Sequence, residues 1–546
     1  MCVLKYISAA GSLAVCYFVM RYNLHMIQLN GYKNKEHIGW LKKNSRKQRL
    51  LVSLAIVALG AIVVAILSVA GKKDMFAGRI TIYILSALIW LICLRYYLYL
   101  KKSNTKKKLV FTKRVKRLVV TDAILVLGLT AAGIFLFDGK FISAFDNIKI
   151  ALQPVLVLAC NYINAPIEKG INNYYINDAK KRLRANKDMI IVGITGSYGK
   201  TSMKFYLETL LREHFNVLVT PESFNTPMGI VRTVREHLTP MHEIFLCEMG
   251  ARHVGDIKEL CDIVHPMHGV ITSVGPQHLE TFFNIENVTN TKFELADAIK
   301  GKGKLFLNGD NELIINKCSE YDNKVMYYTE NVSGVGNVTD TDSGSIVGYR
   351  TKDIKLSPLG TEFTVIAPDG SKETFNTRLI GSHNVVNIVG AISVACELGV
   401  ELKKLKTAVR RIQPVPHRLQ LLERGNYTII DDAFNSNPVG SKVAVETLAM
   451  FDGVRILVTP GMVELGEKEE EYNYKFGTYA AKCCDYILLV GKKHTEPIKQ
   501  GVIDSGFDED KCKVYDTLEE AMQFAYSINQ KGHKYILLEN DLPDNY

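Results

Sequence analysis

Twenty-one residues without a charge, "LLVSLAIVALGAIVVAILSVA" from Leu50 to Ala70, constrain this chain more than any other stretch. A bilayer's hydrocarbon core needs roughly 20 apolar residues per helix. A soluble domain rarely keeps so long a run unbroken. Further apolar runs lie at about 2–20, 80–100 and 118–137, and a fifth candidate at about 144–163. The first lacks a basic leading region and a small-residue cleavage site, so it reads as a retained helix. The fifth contains Pro154 and also fits a re-entrant or interfacial segment. Two loops, "KNKEHIGWLKKNSRKQR" and "KKSNTKKKLVFTKRVKR", are strongly basic and belong on the cytoplasmic side. Four spans would put the rest of the chain outside the cell, and five would put it inside.

Charge divides the chain in the same place. Residues 1–137 carry 22 Lys and Arg against three acids, a net of +19. The whole chain is +11, which leaves the remainder near −8. The basic balance therefore belongs to the apolar segment, where it sets topology and does not signal nucleic acid. Eleven cysteines are scattered with no CxxC pair, which argues against a zinc site and for reduced thiols.

Past that segment, "MIIVGITG" is an apolar, β-branched run ending in glycine, and "KTSMKFYLETLLREHF" follows with helical spacing. Strand, glycine loop and helix make the context of a phosphate-binding loop. Gly196 and Gly199 let the backbone approach closely, and Ser197 and Ser202 belong to the same stretch. Lys200 can reach the β- and γ-phosphates, and the Thr201 hydroxyl can ligate Mg²⁺. The spacing departs from GxxxxGK[ST], because Ile194 stands where the first glycine would. The need for ATP inside the cell favours five spans.

"GITGSYGKTS" resembles the ATP loop of the Mur ligase family, the ATP-dependent amide-forming enzymes of peptidoglycan synthesis. Further blocks match in the same order. "EMGARHVGDI" resembles the segment whose acid binds Mg²⁺, here Glu248. "GPQHLETFFNIENVTNTKFEL" resembles the block whose histidine and carbamoylated lysine hold a second Mg²⁺, here His278 and Lys292. "GSHNVVN" resembles the nucleotide-contacting block, through Asn384 and Asn387. "HRLQ" supplies Arg418, which the resemblance sends to the ATP phosphates from the C-terminal domain. "IIDDAFNSNP" places Asp432 and Asn435 near ATP, and "MVELGE" resembles the family's MELG block. The last two point to the MurF type, which joins D-alanyl-D-alanine to a UDP-muramoyl tripeptide.

The resemblance implies a fold and a chemistry. An N-terminal α-helical membrane region (1–165) and a linker (166–188) precede an α/β part. That part comprises a phosphate-loop central domain (189–412) and a Rossmann-like C-terminal ligase domain (413–546). ATP would convert a carboxylate to an acyl phosphate, which an amine attacks. Two Mg²⁺ ions, Lys200 and Arg418 would neutralise the moving phosphoryl group. The partners implied are a muramoyl peptide, UDP- or lipid-linked, an amino acid or dipeptide amine, and membrane lipids. The catalytic domains would sit on the cytoplasmic face of a multi-pass membrane protein.

Three features depart from the type. Apolar helices stand where it has a soluble sugar-nucleotide domain. "TPGMVELG" replaces GDMxELG, with Asn473 where the family has a histidine. The ending "LLENDLPDNY" does not resemble KGSR. A ligase acting on another carboxylate, such as a polyglutamate, stays open, as does an ATP-driven transporter or signalling protein. Against a transporter, the apolar runs hold few charges beyond Asp122 and Arg95.

Overall fold

The structure, a computed structural model, describes residues 2–44, 84–92, 94–95, 108–136, 142–329, 348–434 and 436–541. The chain divides into two compact units at Asn173 and Tyr174.

The first unit is helical, with helices Cys2–Leu29, Asn34–Asn44, Lys113–Leu136 and Ile142–Ala151, and the start of Gln153–Ala185. Its exterior is apolar, and its interior sets polar groups beside an apolar core that includes Val19, Leu24 and Ile27. Ile7, Phe18, Ile124, Leu127, Ile148, Val155 and Ile163 are exposed, while Ser8, Ser12, Asp146, Asn147, Lys149 and Gln153 are buried. Ile148 faces out between two inward-facing polar neighbours. One cluster of these groups satisfies itself: Ser8 and Ser12 donate to Asp146, and Lys149 Nζ donates to Asp146, Ser12 and Thr130 at 2.8–3.0 Å. A buried charge persists only when paired in this way.

Among the described residues one helix, Lys113–Phe135, is long and apolar enough to cross a membrane. The expected span at 2–20 is helical but does not pass that test. The candidate at 144–163 is a pair of helices, Phe145–Ala151 and Gln153–Ala185, bent by 64°. The run at 50–70 lies outside the described residues, and that at 80–100 is described only at 84–92 and 94–95. Residues 166–188, anticipated as a linker, are helical as far as Ala185 despite Pro166.

The second unit holds two sheets. The first has nine strands in the order β2-β3-β1-β4-β5-β6-β7-β8-β9. In chain order they are Ile190–Thr195, Val217–Val219, Ile244–Glu248, His268–Ile271, Leu305–Asn308, Lys324–Tyr328, Gly348–Ser357, Gly360–Ile366 and Lys372–Thr377. The strands from β2 to β7 run parallel, and β8 and β9 add an antiparallel edge. Side chains of β1 alternate between two buried layers, Val192 and Ile194 in one and Ile191 in the other. Burial on both faces is what a parallel sheet demands and why β1 reads as an unbroken apolar run.

The second sheet has six strands in the order β10-β11-β15-β12-β13-β14. They are Gln420–Arg424, Tyr427–Asp432, Val454–Thr459, Tyr486–Val490, Cys512–Tyr515 and, as β15, Lys534–Glu539. The β10–β11 hairpin is antiparallel and the other pairings are parallel. Cys160, Cys247, Cys261, Cys318, Cys484 and Cys512 are free thiols and buried, and Cys16 is buried as well.

Candidate active site at the phosphate loop

Strand β1 ends at Thr195, and the helix Lys200–Leu211 begins after Gly199, which caps it at φ +80°. The turn between them tolerates no side chain at either of its glycines. A Cβ on Gly196 would stand 2.1 Å from Thr272 Oγ1, and one on Gly199 would stand 2.7 Å from Asn387 Oδ1. The segment after β4 ties the loop down. Ser197 N donates to Ser273 O (2.8 Å), Ser197 Oγ to Gly275 O (3.0 Å) and Tyr198 N to Ser273 Oγ (2.8 Å). Bare backbone at a helix N-terminus is a cradle for anionic oxygens.

Lys200 folds over this cradle, its Nζ donating to Gly196 O (2.6 Å) and Ser197 O (3.1 Å). Burial lowers its ammonium to about 8, with Glu248 pulling up and Arg418 pushing down. An anion at the loop would offset that cost. Thr201 Oγ1 donates to Glu248 Oε1 (3.1 Å), which also accepts from Asn225 Nδ2 (3.1 Å). Glu248 ends β3 fully buried, and its Oε2 accepts no hydrogen bond, although Lys204 Nζ lies 3.1 Å away as an ion partner. A hydroxyl beside a buried carboxylate with spare acceptor capacity fits Mg²⁺, which takes few protein ligands and completes its shell with phosphates and water. Among the described residues no three His, Cys, Asp or Glu side chains converge as a metal cage. Ser202 is buried in the first turn of the helix.

The two candidate asparagines differ. Asn387 lies against Gly199. The Asn384 amide donates to Ile380 O (2.8 Å) and accepts from the Tyr206 hydroxyl (2.7 Å), so it braces the loop helix. Lys292, on the helix Ile285–Ile299, is 1% exposed. Burial drives its amine well below the usual lysine value, and the Lys200 charge adds to the effect.

The C-terminal domain completes the site. Arg418 sits between two residues in left-handed conformations, His417 (φ +60°) and Leu419 (φ +45°). His417 Nδ1 is 2.8 Å from Asp431 Oδ2, and Leu419 N donates to Asp432 Oδ1 at 3.2 Å. The turn so pinned lays the Arg418 guanidinium over the Phe434 ring at 4.6 Å. Burial raises Asp432 to about 6 against the pull of Arg418. Asn435 lies outside the described residues. His278 meets the same domain, with its Nδ1 2.6 Å from Glu464 Oε2. Burial holds this imidazole below its usual value despite the carboxylate.

Sequence reasoning missed Lys204, Asn225, Tyr206 and the role of Glu464. Of these, Asn225 alone stood outside the quoted blocks.

Two family descriptions match this chain: Mur ligase middle domain over residues 194–395, and Mur ligase, glutamate ligase domain over residues 417–538. The UDP-N-acetylmuramoyl-tripeptide–D-alanyl-D-alanine ligase of Escherichia coli is 30% identical over 355 residues, 64% of this chain and 75% of that protein. The Bacillus subtilis ligase of the same name is 27% identical, covering 63% and 71%. Among solved structures, MurF from Acinetobacter baumannii superposes with a TM-score of 0.60 at 23% identity, covering 69% of this chain and 78% of that one. MurF ligase from Thermotoga maritima in complex with ADP gives 0.56 at 24%, covering 68% and 80%, which speaks to the fold. With the phosphate loop, the Glu248 carboxylate and a cross-domain arginine set in two such domains, this chain belongs to the Mur ligase family and is an ATP-dependent ligase of the MurF type.

Proposed function

We propose that this chain joins D-alanyl-D-alanine, or a similar amine, to the carboxylate of a muramoyl peptide in peptidoglycan precursor synthesis. The observation that carries the chemistry is the convergence of Lys200, the Thr201–Glu248 pair and Arg418 on one glycine loop. The names of the relatives supply the substrates.

The roles follow from the geometry. The loop amides and the helix N-terminus hold the phosphates. Lys200 turns from the loop carbonyls to the terminal phosphate as it is attacked by the acceptor carboxylate, and Arg418 adds a second positive charge. ADP leaves, the amine attacks the acyl carbon, and phosphate departs with the carbonyl restored. Thr201 and Glu248 would hold one Mg²⁺, and His278 and Lys292 a second. The ions supply charge neutralisation. An amine kept uncharged by burial is the form that reacts with carbon dioxide, which supports carbamoylation of Lys292. Asn387 and Asp432 line the nucleotide from opposite domains.

The first unit would anchor the enzyme in the cell membrane by several spans, with the catalytic unit on the cytoplasmic side. Its outward apolar and inward polar side chains support this, as do the basic loops.

The test is phosphate release by the full-length protein with ATP and Mg²⁺. UDP-N-acetylmuramoyl tripeptide and D-alanyl-D-alanine are added separately and together. Release that needs both, with the ligated product seen by mass, is the expected outcome. No release from protein that binds ATP would sink this substrate pair and turn the search to lipid-linked acceptors.

A further inference from the structure

We propose that Glu464 is a positioning residue for His278, carried by the C-terminal domain on a loop that Asn473 clamps. The His278 end of the site is then complete only when that loop is seated. The inference rests on the reading of His278 as a metal ligand.

The contact is built from both sides. Glu464 Oε2 lies 2.6 Å from His278 Nδ1, which leaves Nε2 as the nitrogen free to bind a cation. Both residues hold left-handed backbone conformations, His278 at φ +52° and Glu464 at φ +63°. Such conformations cost energy in residues with side chains, and they persist where the surroundings over-determine them. The pair is sheltered, its side chains 15% and 24% exposed. Arg252 Nη1 approaches the other carboxylate oxygen at 4.0 Å. The loop also packs on the turn after His278, since a Cβ on Gly466 would lie 3.8 Å from Leu279 Cβ.

Behind Glu464 the loop is fixed. Asn473, 1% exposed, accepts from Met462 N (2.9 Å) and donates to Met462 O (2.9 Å) and Glu469 O (3.0 Å). Gly461, at φ +82°, donates to Thr459 Oγ1 (3.1 Å) and accepts from Asn540 Nδ2 (2.5 Å). An imidazole oriented through one nitrogen by a carboxylate is a better ligand through the other, and loss of such a partner typically costs 10- to 100-fold in metal affinity.

The experiment is Mn²⁺ binding by electron paramagnetic resonance, with an ATP analogue carrying a β,γ-methylene bridge. Full-length wild type, E464Q, H278A and the double variant are compared. We expect E464Q to weaken one Mn²⁺ by roughly 10- to 100-fold, with the other ion, nucleotide affinity and Tm unchanged. The double variant should bind no more weakly than H278A alone. Wild-type affinity for both ions in E464Q overturns the inference and leaves the site reading intact. A wild type that binds a single ion, or one unaffected by H278A, overturns the reading of His278 and the inference with it.

Discussion

Lys200 rests on the carbonyls of Gly196 and Ser197, and the proposed reaction would move it to a phosphate. Its buried ammonium is costly where it rests. Lys200→Met should therefore fold normally and lose at least about a hundredfold in kcat/KM, the scale of a lost charge-stabilising donor. Steady-state kinetics beside a thermal melt will show it. Gly199→Ala should act differently, because its Cβ would strike Asn387 and its φ is left-handed. The strain alone is about 1–2 kcal/mol, and nucleotide binding should fail in calorimetry. A third residue sets a pH dependence. Burial raises Glu539 to about 7 from 4.5, while Ser436 and Thr459 donate to it. The folded chain keeps a proton there that the unfolded chain releases, so this group's contribution to stability falls as pH rises across that window. Glu539→Gln removes the loss. It should be more stable than wild type at pH 8, by on the order of 1–3 kcal/mol, and no more stable at pH 4. Urea unfolding at the two pH values decides it. The closeness of Lys200, Thr201 and Glu248 was legible because the first two stand in a strand–loop–helix context and the third in a block that the resemblance sets beside it. The division of labour between Asn384 and Asn387 was not, because both lie three apart on one helix face and Tyr206, from another helix, decides which amide is engaged.

Among elements, the loop from Thr459 to Gly466 is shaped less by its own sequence than by one side chain of the helix Glu469–Cys483. Asn473 there satisfies both the N–H and the C=O of Met462. Asn473→Ala would strand two buried backbone groups, each worth about 1–3 kcal/mol, and should lower Tm by several degrees in calorimetry. Sequence could mark Asn473 as a departure from the family's histidine but not state its task, which depends on the loop passing over it. The parallel strands were readable as apolar β-branched runs. The helix Gln153–Ala185 was not. Its residues from 166 on read as a linker, yet Ala179 and Leu183 are buried against the first sheet's core and Asp178 pairs with Arg182 and Arg235. Those tertiary contacts outweigh weak local propensity.

At the scale of the whole molecule, charge and hydropathy divide the chain near the place where it separates into compact units. The apolar exterior of the first unit predicts that the full-length protein stays with membranes through an alkaline carbonate wash and leaves them only with detergent. Recovery in the carbonate supernatant would contradict the anchor. The break in the candidate at 144–163, which turns by 64°, was not legible from apolar length alone. The buried thiols carry a different consequence. Cys16 and Cys160 belong to the first unit, Cys247, Cys261 and Cys318 to the central domain, and Cys484 and Cys512 to the C-terminal domain. Burial pushes Cys247 and Cys484 well above the usual thiol range. Each core thus holds a chromogenic stopwatch that starts only when that core opens. The order in which these sulfurs take up a thiol reagent will trace, without any label added by design, the sequence in which the molecule comes apart.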